Sequence, residues 1–374
     1  MWKTVKLGDV CELAYGKALD KKDRLEIGGY PAFGANGIKT QSKAPLYDKP
    51  SIIVGRKGSA GEINKVTEPF WALDVTYYTK IDEQVITLDY LFYVLTTLNL
   101  PSLARGVKPG INRNDVYEQT IPLPPLAEQQ RIVAKLDAAF AEIDRAVDAV
   151  DEKKRQCFAL LKATLNAIVS FSLDCDEEKP LGEMAKFLDY RGRTPTKSEA
   201  GVRLLTAKNV RMGYIKKEPL EYVTDDTYQQ HMTRGLPRVG DVVITTEAPL
   251  GLVAQIEDAD VALGQRLITL QTAEEEIKNS YLKYLLMAEI TQQKIHAAGT
   301  GATVKGIKAS LLKKIPMNFP KSLSEQQKRA DTLDAITQQG DSLLETLVKK
   351  REELAQLKSA ILSQELQPPQ SEAA

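Results

Sequence analysis

Cysteine, histidine and net charge are what these 374 residues have least of. The three cysteines, Cys11, Cys157 and Cys175, stand too far apart for a disulfide framework or a zinc cluster. Such usage suits a reducing compartment, and a cytoplasmic protein is expected. Neither His231 nor His296 has a cysteine or a second histidine at metal-ligand spacing, so no metal site is expected. No uncharged apolar run approaches the length of a bilayer-spanning helix, which argues against a membrane partner. The opening residues, Met1 to Lys6, lack the apolar stretch of a signal peptide, so secretion is not expected. Net charge is zero, 50 Lys+Arg against 50 Asp+Glu, which at first argues against a polyanionic partner. With 43% hydrophobic and 27% charged residues the composition is that of a globular protein with room for two or three domains.

Catalytic signatures are missing as well. Gly34 to Thr40 loosely suggests a phosphate loop but lacks the contiguous Gly-Lys-Thr. There is no dinucleotide fingerprint and no Asn-Pro-Pro-aromatic motif of an amino-methyltransferase. Glu276-Ile277-Lys278 has the residue types of a nuclease set, yet it lies in an acidic helix start, where solvated charge is the better reading. No catalytic residue and no cofactor is therefore expected on this chain.

What the chain does have is a repeat. Glu128-Gln129-Gln130 returns as Glu325-Gln326-Gln327, and the alignment runs on without a gap. Leu136-Asp137-Ala138 matches Leu333-Asp334-Ala335, Asp144 matches Asp341, and Lys153 matches Lys350. Upstream the match is weaker: Leu7-Gly8-Asp9 reads against Leu181-Gly182-Glu183, and Tyr90 to Leu95 against Tyr281 to Leu286. A repeat of this length is a whole domain, not a solenoid unit. The expected partition is a first module over 1–124, a first long helix within 125–178, a second module over 179–322 and a second long helix within 323–366. A disordered tail is expected over 367–374, where Gln367-Pro368-Pro369-Gln370 breaks the helix. The two modules carry a small excess of Lys and Arg and the helical segments an excess of Asp and Glu. Polyanion binding is then open to the modules, provided their cations share a face.

Residues 127–170 read as one helix, opened by Pro122, Pro124 and Pro125 and free of internal Pro or Gly. Leu136, Phe140, Ile143, Val147, Val150, Lys154, Cys157 and Leu161 alternate steps of four and three, the seam of a coiled coil. One apolar stripe of that length needs a partner. The second helix, 324–366, supplies a matching stripe that includes Leu333, Leu344 and Leu347; Ser324 is its expected cap, and Gly340 is expected to weaken or bend it. Lys154 and its counterpart Arg351 set register or merely snorkel at the seam edge. Packed antiparallel, the helices would relate the modules by a pseudo-twofold axis, the symmetry of two opposed DNA half-sites. Coiled-coil spacers in proteins that never touch DNA share this pattern.

Both modules are rich in strand and turn signals. Ser51 to Gly55 and Trp71 to Lys80 read as strands, and Leu88 to Leu98 as an amphipathic helix. Between the strands, Arg56-Lys57-Gly58-Ser59-Ala60-Gly61 offers cations, a hydroxyl and glycines that admit close backbone approach. Gly34 to Lys39 is a second polar turn; each alone is also routine turn chemistry. A basic glycine-rich loop, Arg105 to Arg113, precedes the first helix, and Gly299 to Lys308 holds the same place before the second. In the second module Arg191-Gly192-Arg193 stands in the region of Tyr15-Gly16-Lys17, Thr206 to Gly213 is a further polar segment, and Asp241 to Thr246 replaces the strand before the Arg56 turn. The helices are alike while the modules share a frame and differ in their loops.

These motifs resemble the specificity subunit of Type I restriction–modification systems. The resemblance covers nearly the whole chain. It rests on Leu7-Gly8-Asp9, Tyr30 to Gly37, Ile53 to Ser59 and Ile121-Pro122-Leu123-Pro124-Pro125-Leu126-Ala127-Glu128-Gln129-Gln130, the last returning as Ile315-Pro316 and Leu323 to Gln327. It implies an α+β architecture: two mixed α/β target recognition domains separated by two long antiparallel coiled-coil helices in a pseudo-twofold repeat. It implies a non-catalytic subunit that reads a split double-stranded DNA target and docks two DNA methyltransferase subunits, and through them restriction and motor subunits. S-adenosylmethionine, ATP and Mg would then belong to those partners.

The residues expected at DNA are Lys17, Asn36, Lys39, Arg56, Lys57, Ser59, Lys108, Asn112 and Arg113 in the first module. In the second they are Arg191, Arg193, Lys208, Asn209, Arg211, Gln265, Arg266, Lys305 and Lys308. Arg and Asn are the side chains suited to guanine and adenine edges, Lys to phosphates. Glu128, Gln129, Gln130, Leu136, Ile143, Val147, Glu325, Gln326, Gln327, Leu333, Leu344 and Leu347 are expected to form the spacer and its docking surface. Two competing functions stay open: a scaffold whose modules bind polypeptides, and an enzyme with an unrecognised site.

Overall fold

The computed structural model describes residues 2–170, 176–301 and 305–368. Cys175, residues 302–304 of the second glycine-rich loop and residues 369–374 of the expected tail lie outside them. The chain forms two compact units, and neither follows the expected linear partition. One unit joins the chain up to Asp151 with the stretch from Val348 onward; the other is Glu152–Leu347. The boundaries fall inside both long helices, Leu126–Ser170 and Leu323–Glu365.

Each unit is built on the same plan. In the first, a four-stranded antiparallel sheet runs in the order Cys11–Tyr15, Thr76–Ile81, Ser51–Gly55, Ile63–Val66. A second sheet orders Arg24–Leu25, Gly37–Ser42, Tyr30–Gly34 and Trp71–Ala72, with the last pair parallel. In the second unit the four-stranded sheet is Ala185–Asp189, Leu267–Thr272, Val242–Thr246 and Leu250–Gln255. Its smaller sheet also contains one parallel pair, Val202–Leu205 with Val261–Leu263. A two-stranded ribbon closes each unit: Lys3–Lys6 with Thr120–Leu123, and Asp176–Pro180 with Pro316–Pro320. Residues 176–178, expected in the helical spacer, are thus strand. The expected strand from Trp71 to Lys80 is two strands broken over residues 73–75.

The central strands read as continuous apolar runs because both faces are covered. Ile52 and Val54 face one core while Ile53 faces another, the period of two dictated by the pleat. Val242 and Ile244 against Val243 repeat this in the second unit.

Within each unit the helical segments run antiparallel. In the first, Lys135 pairs with Glu365, Asp144 with Lys358 and Asp151 with Arg351, so one number rises as the other falls. In the second, Cys157 and Leu161 meet Gly340, and Ile168 accepts a hydrogen bond from Arg329. The seam is buried where the heptad places it, at Leu136, Ile143, Val150, Cys157, Leu333 and Leu347, with Val147 and Leu344 half-buried beside it. Gly340 does not interrupt its helix, which continues to Glu365; the missing side chain makes room for Leu161. The cap of that helix is Ser322, whose Oγ accepts the Glu325 N–H at 3.3 Å, and Ser324 sits inside the first turn.

Gln129 and Gln326 are fully buried, not surface residues of a docking face. Gln129 accepts the Thr87 N–H at 2.8 Å and donates to the Val85 and Pro124 carbonyls at 3.0 Å. Gln326 accepts the Lys278 N–H at 2.9 Å and donates to the Glu276 and Pro320 carbonyls at 3.1 and 2.7 Å. The repeated motif is a clamp that ties each long helix to the module before it. Glu128 and Glu325 instead pair within their own helices with Arg131 and Arg329, and Gln327 donates to Asp331. Gln130 is exposed.

Candidate nucleic-acid interface

In the first unit the Arg56 turn and the glycine-rich loop are stitched by backbone hydrogen bonds. Gly58 N–H donates to the Pro109 carbonyl at 3.1 Å, Ile111 N–H to the Arg56 carbonyl at 2.9 Å, and Arg105 and Gly110 exchange bonds of 2.9 and 3.1 Å. Arg56 and Lys57 N–H groups donate to Val75. The Ala35-Asn36 tip, between the strands Tyr30–Gly34 and Gly37–Ser42, reaches the same place. Only glycine fits at position 55 there, since a β-carbon would lie 2.2 Å from the Ser59 carbonyl and 3.1 Å from Ala35 Cβ. Lys17 joins through its N–H to the Ala72 carbonyl at 2.8 Å.

Tyr15 is the centre of this edge and was not singled out from sequence as a contact residue. The residue is 48% exposed. The guanidinium carbons of Arg56 and Arg113 lie 5.4 and 5.1 Å from its centroid, and Tyr77 meets it edge-on at 5.0 Å. Burial, with the neighbouring Tyr15 second, pushes the Tyr77 phenol up to about 12, so that ring stays neutral beside the two cations. Cation–π attraction favours both guanidinium groups at this ring. Neither Arg56 nor Arg113 forms an ion pair among the described residues, and each has a buried Nε without a hydrogen-bond partner there. Lys17, Asn36, Lys57 and Lys108 are exposed on the surrounding loops and Lys39 on the strand Gly37–Ser42, with Ser59 half-buried. Asn112 departs from expectation: its Oδ1 accepts the Asn114 N–H at 2.9 Å and caps the helix Arg113–Tyr117.

The second unit repeats the backbone frame with other side chains. Ile307 N–H donates to the Thr246 carbonyl at 2.9 Å as Ile111 does to Arg56, and Thr246 N–H to the Arg266 carbonyl as Arg56 does to Val75. The bridges Lys57–Gly110 and Arg105–Gly110 recur as Glu247–Gly306 and Thr300–Gly306. Thr246 therefore stands for Arg56, Glu247 for Lys57, Thr300 for Arg105 and Arg266 for Val75. A cleft of about 380 Å³ opens here, lined by Arg191, Gly192, Gln265, Arg266, Glu247 and Lys308 among others. Gln265 donates to Thr194, and Arg266 pairs with Glu247 at 3.1 Å. Lys305 and Arg193 are exposed, the latter 3.3 Å from the Thr233 hydroxyl.

Four expected contacts of this unit make bonds within the chain. Arg191 gives a bidentate pair to Asp189 at 2.8 and 2.7 Å and a third bond to the Ile307 carbonyl at 3.0 Å, leaving little to offer a ligand. Asn209 is fully buried; it accepts from Thr206 and donates to the Pro219 carbonyl at 2.9 Å. Arg211 donates to the carbonyls of Lys208 and Val210. Lys208 shares Glu221 with Lys197, whose hydrogen bond is the main reason that carboxyl titrates below its usual range. These last three do not line the cleft. The amide of Asn209, the one fully buried residue of the three, serves a buried turn.

The two units thus repeat one loop frame and vary its tips. Residues 1–149 and 176–353 match the Type I restriction modification DNA specificity domain, and the chain belongs to that family. It is 22% identical over 360 residues to a type I restriction enzyme specificity subunit of Haemophilus influenzae, covering 92% of this chain and 90% of that one. Over 176 residues it is 28% identical to the EcoDI specificity subunit of Escherichia coli, covering 46% of this chain and 38% of the relative. The fold matches a chain solved in work on complex assembly and conformational transition of the type I R-M system, at TM-score 0.78 and 20% identity over 99% of this chain and 98% of that one. The HsdS subunit of Thermoanaerobacter tengcongensis matches at TM-score 0.57 and 20% identity, over 98% and 96%. Among the described residues no helix is long and apolar enough to cross a membrane.

Proposed function

We propose that this specificity subunit reads a split, asymmetric target in double-stranded DNA, one half-site per unit, and has no catalytic site of its own. The observation that carries the reading is a single loop frame built twice with different tips: Tyr15, Arg56 and Lys57 in one unit, Glu247, Gln265 and Arg266 in the other. A shared frame suits a shared duplex geometry, and different tips suit different base edges. The buried Gln129 and Gln326 clamps support a scaffold role, because they hold each helix rigidly to its reading module. The exposed flanks of those helices would dock two methyltransferase subunits, which would bring S-adenosylmethionine and, through motor and restriction subunits, ATP and Mg. Such a complex acts in the cytoplasm.

Methylome sequencing tests this in a host lacking the gene, with and without the gene and its cognate methyltransferase. A bipartite motif that appears only when both are present supports the reading and gives both half-sites. Absence of any motif, with both proteins produced and associated, sinks it and favours a scaffold for polypeptides.

A further inference from the structure

The second cleft contains a carboxylate where its twin carries a cation. Glu247 bridges Gly306 as Lys57 bridges Gly110, so the two side chains leave equivalent points of the frame. A carboxylate there repels phosphate, so this point of the cleft is unsuited to the DNA backbone. It is an acceptor only, which suits an exocyclic amino group on a base edge.

Its partner adds a second observation. Arg266 has a φ of +67°, a left-handed conformation that costs energy for any residue with a β-carbon. Where the first unit has Val75, the second holds a strained arginine. The Glu247–Arg266 contact does not explain the strain: both side chains are about half exposed, at 46% and 56%, and an ion pair so hydrated contributes little. The backbone holds the residue there, the Thr246 N–H donating to the Arg266 carbonyl at 2.8 Å, so a conformation that costs energy keeps this side chain at the cleft. The cleft around the pair has room for a base edge, and Gln265 is fixed beside it by Thr194.

We propose, resting on the DNA reading above, that Glu247 and Arg266 are the specificity-determining pair of the second unit and together read one G·C base pair in the major groove. Arg266 donates two guanidinium N–H groups, one to guanine O6 and one to N7, and Glu247 accepts from the N4 amino group of cytosine. Without DNA the two groups neutralise each other, which keeps the carboxylate and the strained arginine poised at the cleft mouth. The first unit lacks the pair and reads its half-site with Arg56 and Arg113 on Tyr15.

The test is selection of randomised double-stranded oligonucleotides by the full chain and its variants, followed by sequencing and competition binding. Arg266→Ala is expected to weaken binding to the selected consensus about tenfold or more and to erase the preference at one G·C position of one half-site. Glu247→Ala is expected to relax the same position. Glu247→Gln is expected to admit adenine there, because an amide both accepts and donates. Thermal unfolding of each variant matching the wild type shows that the fold is intact. A wild-type consensus that both alanine variants leave unaltered overturns the proposal alone. So does a uniform loss of affinity with unchanged preference, which would mark a backbone contact. A wild-type chain that selects no sequence overturns the DNA reading and this proposal together.

Discussion

Gly340 lies against Leu161, so close that a β-carbon on the glycine would come within 2.7 Å of Leu161 Cδ1. The glycine is a packing device in the helix seam. Gly340→Ala gains about 1 kcal/mol of helix propensity. It also overpacks the seam, at a cost of about 1–3 kcal/mol. Leu161 is only half-buried and can swing aside, so the expected net loss is about 1 kcal/mol. Denaturant unfolding of Gly340→Ala, Leu161→Ala and the double variant checks it. The double variant should be more stable than the sum of the single changes predicts. Simple additivity would mean that the two side chains do not meet.

Gln129→Ala should destabilise the first unit by about 3 kcal/mol, because it strands the Thr87 N–H and two carbonyls in a buried place. Hydrogen exchange at Thr87 should speed up while Lys278 keeps its protection. Gln326→Ala should do the reverse. Equal loosening at both amides in either variant would contradict the clamp.

On the first reading edge, Arg56→Ala and Arg113→Ala should each weaken DNA binding by about 1–3 kcal/mol and relax sequence preference. Tyr15→Leu should resemble the two together in preference, since both guanidinium groups lie at its ring. Lys57→Ala should weaken all sequences alike and lower the salt slope by about one. Asn112→Ala should cost about 1 kcal/mol of stability through its cap and leave preference untouched. Wild-type affinity and preference in Arg56→Ala would remove that residue from the interface.

The Asp189 carboxyl titrates below its usual 3.8: burial opposes this, but hydrogen bonds from Arg191 and its charge outweigh burial. The proton therefore binds the unfolded chain more tightly than the folded one. The stabilisation is fully present above pH 3.8 and is lost as pH falls through the lower folded value. Asp189→Asn should flatten stability against pH in that acid range and leave Arg191 without its bidentate partner. An unchanged acid limb in urea titrations would show that the pair is not linked to folding.

The seam and the repeat were legible because they are periodic. Leu136, Ile143, Val150 and Cys157 recur every seven residues, and a buried stripe follows from that spacing alone. The loops were harder. Asn209 and Arg191 have the composition of a reader, yet turns and buried carbonyls need the same polar groups, and only the fold shows which demand is met. Gln129 looked like surface because glutamine usually is; nothing local announces the three backbone groups waiting for it. Glu247 escaped notice because its equivalence to Lys57 lies in backbone bridges, not in alignable sequence. The discontinuity of the first unit escaped for a similar reason: a stripe announces that it needs a partner, not which stretch will cover it.

That discontinuity bears on synthesis. Leu366 is buried in the core that also contains Leu7, Leu136 and Ile121, and Glu365 meets Lys135. The second unit is one uninterrupted stretch, Glu152–Leu347, and every residue of it leaves the ribosome before Val348. Domains commonly complete themselves in the order in which they are made. Here the order inverts: the later-made unit can close first, while the earlier-made one waits, its apolar stripe uncovered, for residues translated after that unit. A stalled or clipped nascent chain would therefore expose Leu136, Ile143 and Val150, the surface a chaperone holds.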